Sequence, residues 1–195
     1  MIIGIDPGLQ GAIAALSDAG AILSIHKMPL DKARKFDGIA LRDILLSLDA
    51  LALDNFEHVH VCIEGLLSLP SDTNKISLLV DELWTRCEQP VYEEIKRELK
   101  RSDGRLGTKT MGVNWGIIKG LVYSMAWPLT EASPRTWQKV MHRTAPTKLT
   151  TKLKSYEVCR QLWPDQDVSG GKRRGFHDGI CDALLIAEFL RRELK

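Results

Sequence analysis

The chain has few residues of several kinds, and each shortage excludes a class of protein. It contains four cysteines in 195 residues, Cys62, Cys87, Cys159 and Cys181, with no C-x-x-C pair. That scarcity excludes a disulfide-rich secreted scaffold and a cysteine-ligated zinc site, so we predict buried, reduced thiols. The sequence has no apolar run long enough for a membrane span and no charged-then-apolar signal segment at its start. We therefore expect one cytoplasmic domain covering residues 1–195.

The net charge is small as well, at +2, but it is divided unevenly along the chain. Residues 1–93 carry 7 Lys and Arg against 14 Asp and Glu, whereas residues 94–195 carry 20 against 11. Because phosphate contacts dominate nucleic-acid affinity, the basic half predicts a polyanionic partner; solvated helix faces and a loop are the alternative. The candidate DNA-binding residues are Lys96, Arg97, Lys100, Arg101, Arg105, Lys109, Lys139, Lys152, Lys154, Lys172, Arg173 and Arg174.

The apolar pattern predicts an α/β fold. Short apolar runs predict a three-stranded antiparallel meander, followed by a helix and a strand that lies parallel to the first strand. The result is a partly parallel sheet with antiparallel edge strands, flanked by helices. The predicted strands cover 2–6, 11–16, 21–28, 59–64 and 129–131, and the predicted helices cover 37–53, 74–87, 112–126, 148–163, 177–193 and a stretch that begins at Ser133.

Three glycines recur at helical spacing in the predicted helix 112–126. Gly112, Gly116 and Gly120 would form one smooth stripe, although each glycine costs a helix about 1 kcal/mol relative to alanine. The stripe therefore predicts close packing against that face. A neighbouring helix or sheet, a DNA backbone and a partner subunit are the three candidates.

Four carboxylates stand at the ends of strongly patterned apolar elements. Asp6 ends the first strand, Glu64 ends the strand 59–64, and Asp178 and Asp182 begin the last helix, where a spacing of four puts them on one face. If these elements converge, several negative charges meet, and protonation or divalent cations must relieve the repulsion. Magnesium takes oxygen ligands, so the acids predict a two-metal site for phosphodiester hydrolysis.

Other interpretations of the same residues remain open. Asp178 could be a helix-start residue only, and Asp6 could be a turn former before Pro7-Gly8. His177 could orient the nucleophilic water or touch the scissile phosphate, or it could simply cap the helix. Lys152 and Lys154 could reach a phosphate or remain solvated.

Four segments together resemble the RuvC-like Holliday-junction resolvases of the ribonuclease-H-like superfamily, in the branch found in phages and organelles. They are Ile-Gly-Ile-Asp6-Pro-Gly, Cys-Ile-Glu64, Ser-Pro134-Arg-Thr-Trp137-Gln-Lys139 and His177-Asp178-Gly-Ile-Cys-Asp182. The resemblance implies a five-stranded mixed sheet flanked by helices, in a homodimer that nicks four-way DNA junctions in pairs. It also implies two Mg²⁺ ions, with Mn²⁺ as a substitute, on the four acids. A bacterial, phage-infected or organellar compartment would suit such a protein.

The chain departs from the bacterial members of that family in two respects. Leu67 stands where they commonly carry a phenylalanine associated with junction opening. The two C-terminal acids are four residues apart instead of three, which leaves open whether Asp178 or Asp182 is the closer metal ligand; we expect Asp182. A catalytically silent branched-DNA-binding protein and a ribonuclease-H-like nuclease acting on RNA or an RNA–DNA hybrid remain alternatives.

Overall fold

The computed structural model describes residues 1–54, 58–65, 105–171 and 175–194, with the backbone alone described at 105–111. The chain divides into two compact units, one formed by Met1–Gly65 with Asn114–Lys195 and the other by Leu66–Val113. The first unit contains the sheet and the candidate site. The predicted helix 74–87 lies outside the described residues, and the single domain over 1–195 stays a prediction.

Five strands form one mixed sheet in the order β3-β2-β1-β4-β5. The strand β1 pairs antiparallel with β2, and β2 with β3, whereas β4 lies parallel to β1 and β5 lies parallel to β4. This order confirms the predicted meander with added parallel strands, and it is the five-stranded mixed sheet that the family resemblance implies. The strands are β1 Ile2–Asp6, β2 Ala12–Leu16, β3 Ile22–Lys27, β4 His60–Glu64 and β5 Leu129–Ala132.

The described helices follow the predicted pattern with shifted starts. They are α1 Gly38–Asp54, α2 Arg105–Ser124, α3 Pro134–Met141, α4 Thr151–Leu162 and α5 Asp178–Glu193, with a 3-10 turn at His142–Thr144 after α3. Ser133 caps α3 as predicted, because its side chain accepts a hydrogen bond from Thr136 N and Pro134 takes the first helical position. The helix α4 begins three residues later than predicted because Thr150 is its N-cap. Of the described helices, none is both long and apolar enough to cross a membrane.

Alternating strand residues supply two apolar layers, one on each side of the sheet. On one side, Ala12, Ala14 and Leu16 pack with α3, α4 and α5. On the other side, Ile13 and Ala15 pack with α1 and α2. Three cysteines, Cys62, Cys159 and Cys181, are buried and unbridged, as predicted; Cys87 lies outside the described residues.

Helix α5 lies directly on β1 because glycines leave room for it. A Cβ at Gly4 would come within 2.9 Å of the Ala187 Cβ and still nearer to the α5 backbone. A Cβ at Gly179 would lie 2.6 Å from Gly11 Cα and closer to the Gln10 carbonyl oxygen. Side chains do not fit at such distances, so both glycines are required where the backbones meet.

The glycine stripe on α2 behaves differently. A Cβ added at Gly112, Gly116 or Gly120 would have no atom of the described residues within 4 Å. Among the described residues, no neighbouring helix or sheet packs on this face, and the expected close packing stays a prediction.

Candidate active site

Asp6 and Glu64 stand side by side at the same edge of the sheet. The strands β1 and β4 are parallel neighbours with Ile5 opposite Ile63, so the next residue of each strand is an acid. The Asp6 Oδ1 accepts a hydrogen bond from Gly8 N at 3.0 Å, which ties the carboxylate to the turn after β1. The turn-forming role considered for Asp6 is thus real, and it coexists with its place beside Glu64.

The other two acids come from the first turns of α5. Asp178 is the first residue of the helix and Asp182 follows one turn later, so the positive end of the helix dipole favours their charge. The close contact at Gly179 holds this end of α5 against the turn that follows β1. The Lys152 ammonium, on α4, forms an ion pair with Asp178 Oδ2.

The acids disfavour one another's charged forms. Burial, followed by the charge of Asp6, raises the pKa of Glu64 to about 7, although the hydrogen bond from Trp137 opposes the rise. Burial also raises the pKa of Asp182 to about 6, with Asp6 and Asp178 adding to it. Burial raises the pKa of Asp6 as well, assisted by Asp178. Such mutual shifts are typical of carboxylates gathered at a functional site.

Asp182 has a buried carboxylate oxygen that a cation would suit. Its Oδ1 is buried and accepts no hydrogen bond from any described group. A buried carboxylate oxygen without a donor is unfavourable unless a cation or a proton approaches it. Oxygen atoms from four acids are also the donors that Mg²⁺ prefers. The residues therefore fit a divalent cation by their chemistry.

The side chains as they stand are not arranged around an ion. Among the described residues, no three His, Cys, Asp or Glu side chains are grouped so that they could hold one metal ion. The Lys152 ammonium instead neutralises Asp178. The four acids nevertheless lie close enough to raise one another's pKa values, and small rotations of carboxylates would change ligand distances without changing which charges are neighbours.

His177 caps the helix that carries the two acids. Its Nδ1 accepts a hydrogen bond from Ile180 N at 3.3 Å, and the residue is buried. The capping interpretation is therefore confirmed. A role for His177 in orienting water or phosphate stays a prediction.

The predicted basic residues are only partly described. Lys152 and Lys139 are exposed and Lys154 is half-buried, whereas the side chains of Arg105 and Lys109 are not described. Of the three basic side chains that the structure describes here, Lys152 alone forms an ion pair with one of the four acids. The residues Lys96, Arg97, Lys100, Arg101, Lys172, Arg173 and Arg174, with Leu67, lie outside the described residues.

Sequence reasoning missed three residues that contact the acids. Trp137 Nε1 donates to Glu64 Oε1 at 3.0 Å, and Trp115 Nε1 donates to the Glu64 carbonyl oxygen at 3.1 Å. The buried Ser155 hydroxyl interacts with Asp182 and lowers its pKa. Tryptophan and serine are common in amphipathic helices, so their sequence positions alone do not indicate contact with an acid, and only the fold reveals it. Trp137 does lie within one of the motifs that carry the family resemblance.

Comparison with known proteins gives fold-level likeness only. No protein-family model matches the chain, and no curated protein matches it in sequence. A Thermus thermophilus RuvC structure covers 99% of this chain and 96% of its own, at 12% identity and a TM-score of 0.49. T. thermophilus RuvC in complex with a Holliday junction substrate covers 98% and 94%, at 13% identity and 0.48.

Both neighbours come from the family that the sequence motifs resemble. At this identity and TM-score, the likeness carries no argument about activity, substrate or metal. The strand order itself carries the fold assignment. The phage and organelle branch stays a prediction.

Proposed function

We propose that this protein is a structure-selective DNA endonuclease that resolves four-way junctions with Mg²⁺, making paired nicks as a homodimer. The observation that carries the proposal is the meeting of Asp6, Glu64, Asp178 and Asp182 at one edge of the sheet. Three of these acids have raised pKa values, and no described group donates a hydrogen bond to Asp182 Oδ1. An architectural DNA-binding protein has no use for negative charge gathered in this way.

The four acids would hold two Mg²⁺ ions, with Mn²⁺ as a substitute. When bound, such ions neutralise charge on the scissile phosphate and make water a competent nucleophile at neutral pH. The protein's own contribution is to keep the carboxylates deprotonated and oriented. Trp137 does this for Glu64 by donating a hydrogen bond to its carboxylate.

Lys152 has two partners in this proposal, Asp178 in the metal-free protein and a DNA phosphate once a cation is bound. Its ammonium neutralises Asp178 while no cation is bound, and the contact raises the pKa of the lysine. A cation at Asp178 would release the ammonium, which is largely exposed and could then contact a DNA phosphate. This release would couple metal binding to DNA binding at one residue.

The homodimer is supported by exposed apolar side chains on the helices opposite α5. Ile39, Leu46 and Leu53 recur every seven residues on α1 and are 68%, 49% and 69% exposed. Ile117 on α2 is also exposed, and its Cγ2 lies 3.4 Å from a Cβ position at Gly38 at the start of α1. Apolar groups of this size are commonly covered in an oligomer.

A catalytically silent junction-binding protein is the second candidate. The observation in its favour is that Lys152 already neutralises Asp178, while no described trio of potential ligands is arranged for an ion. In that case the acids would be a remnant that the lysine stabilises. Turnover separates the two candidates.

The test is a substrate panel with purified protein. A labelled synthetic four-way junction, a linear duplex of the same sequence and an RNA–DNA hybrid are each incubated with Mg²⁺ or with EDTA. Paired, symmetrical nicks in the junction that require Mg²⁺ support the proposal. Tight junction binding with no cleavage moves the assignment to the silent binder, and cleavage confined to the hybrid moves it to an RNA-directed nuclease.

A further inference from the structure

Glu64 is held by two tryptophans from two different helices. Trp115 on α2 donates to its carbonyl oxygen at 3.1 Å, and Trp137 on α3 donates to its carboxylate at 3.0 Å. An indole N–H can only donate a hydrogen bond. Trp137 therefore favours the deprotonated form of Glu64, and its fully buried ring fixes where that form lies.

The contacts of Trp137 continue away from Glu64. Its ring meets the ring of His142 edge to face, with centroids 5.6 Å apart and planes at 78°. The His142 Nε2 is hydrogen-bonded to the Ser155 Oγ at 3.0 Å. The helix α4, which carries Ser155, contacts α5 next to Asp182, where Cys159 Sγ donates to the Cys181 carbonyl oxygen at 3.5 Å. The Ser155 hydroxyl lies close enough to the Asp182 carboxylate to lower its pKa. Neighbouring side chains thus lead from Glu64 on β4 to Ser155 on α4, beside Asp182 on α5.

Packing alone does not account for the polar members of this chain. Ser155 is fully buried, and a buried hydroxyl is unfavourable unless it is hydrogen-bonded. The surrounding apolar layer, which includes Val158 and Met141, would accept an alanine there. The site has a serine instead, whose hydroxyl is hydrogen-bonded to His142 and lowers the pKa of Asp182.

We propose that Trp137, His142 and Ser155 form a positioning relay that fixes the carboxylates of Glu64 and Asp182 relative to each other. The inference rests on the proposed function, because it assigns the relay to the carboxylates that would hold the cations. The three residues act through the acids and touch no reacting atom. Loss of such outer partners typically weakens metal binding about 10-fold to 100-fold.

The first test needs neither metal nor DNA. In ¹H–¹⁵N spectra, the Trp137 indole signal is assigned by its loss in Trp137→Phe. Asp182→Asn is expected to shift that signal through the relay, and Ser155→Ala is expected to abolish this response. Asp49→Asn is the matched control, because Asp49 accepts a hydrogen bond from a different indole, that of Trp127. If the chemical shift of the Trp137 indole N–H is unchanged in Asp182→Asn, the relay is overturned.

The second test measures Mn²⁺ affinity without DNA, by electron paramagnetic resonance. Trp137→Phe keeps an aromatic ring and removes only the N–H donor, so we expect binding at least tenfold weaker. Trp163→Phe is the control, since it removes an indole bond to the Gly20 carbonyl instead. Equal losses in the two variants, or no loss in Trp137→Phe, would refute the positioning role.

The double variant Trp137→Phe/Ser155→Ala decides whether the contacts act together. A shared relay predicts that its loss of Mn²⁺ affinity is smaller than the product of the two single losses. Losses that multiply would show two independent supports and overturn the relay. If the wild type binds no Mn²⁺, the proposed metal site fails, and the indole response to Asp182→Asn still decides the relay.

Discussion

Replacing Gly179 by alanine should disrupt the site by pushing α5 away from the sheet. The added Cβ would lie 2.6 Å from Gly11 Cα and closer to the Gln10 carbonyl oxygen, and both are backbone atoms that have no rotamer with which to yield. Gly179 stands next to Asp178 and three residues before Asp182. A displaced helix start would therefore move both acids relative to Asp6.

The expected change in stability is opposite in sign to the change that helix propensity alone predicts for Gly179→Ala. Alanine in place of glycine ordinarily stabilises a helix by up to about 1 kcal/mol. Overpacking against fixed backbone costs about 1–3 kcal/mol or more, so we expect the variant to lose stability on balance. For a chain of this size, each kcal/mol corresponds to a midpoint change of about 2–4 °C.

Gly120→Ala is the matched control, because no atom in the part of the chain that the structure describes lies within 4 Å of its Cβ position. This variant should gain about 0.5–1 kcal/mol. Thermal unfolding of both variants, followed by circular dichroism without metal, checks the pair. A Gly179→Ala protein at least as stable as the wild type, with Mn²⁺ affinity unchanged, would refute the argument that this contact sets the position of α5.

Three further predictions follow from the charges. Since the folded-state pKa values of Glu64, about 7, and Asp182, about 6, exceed the ordinary 4.5 and 3.8, the folded protein binds more protons than the unfolded chain between these values. The free energy of unfolding of the metal-free protein should therefore fall as pH rises from about 4 to about 7, with Glu64 contributing up to about 3 kcal/mol of the fall. In denaturant titrations, Glu64→Gln should make the free energy of unfolding depend less steeply on pH. Lys152→Gln removes the ammonium that pairs with Asp178, so the melting midpoint of the metal-free variant at pH 8 should lie below that of the wild type. Added Mg²⁺ should remove this difference between the two midpoints, and a difference that Mg²⁺ leaves unchanged would contradict the prediction. Neutralising Lys96, Arg97, Lys100 and Arg101 should weaken junction binding. The slope of log binding constant against log salt concentration should become shallower by up to about four, whereas unchanged binding would reject a DNA-binding role for these residues.

The sequence predicted the parts of the fold that depend on local pattern. Alternating and helical apolar spacing located all five described strands, and the caps Ser133 and Pro134 located α3 to the residue. The start of α2 was missed by seven residues because the charged stretch 105–109 has the composition of a solvated loop although its backbone is helical. Composition alone does not separate a solvated helix from a loop.

The convergence of the acids was predictable for a similar reason. Each acid stands at the end of a patterned element, and parallel neighbouring strands bring their ends to one edge of the sheet. The relay was not predictable, because Trp137 and Glu64 are 73 residues apart and meet only through the fold. The same holds for the ion pair of Lys152 with Asp178, which are 26 residues apart.

The most direct test of the account is single-turnover cleavage of a four-way junction by Asp182→Asn beside Asp43→Asn. Asp43 is an exposed acid on α1, paired with Arg42 and not one of the four acids of the candidate site. The account predicts that Asp182→Asn folds, binds the junction and loses at least about a hundredfold in Mg²⁺-dependent cleavage, since ligand loss should exceed loss of an outer partner. Asp43→Asn should cleave like the wild type. Cleavage by Asp182→Asn at the wild-type rate would contradict the proposal that these acids are the catalytic centre.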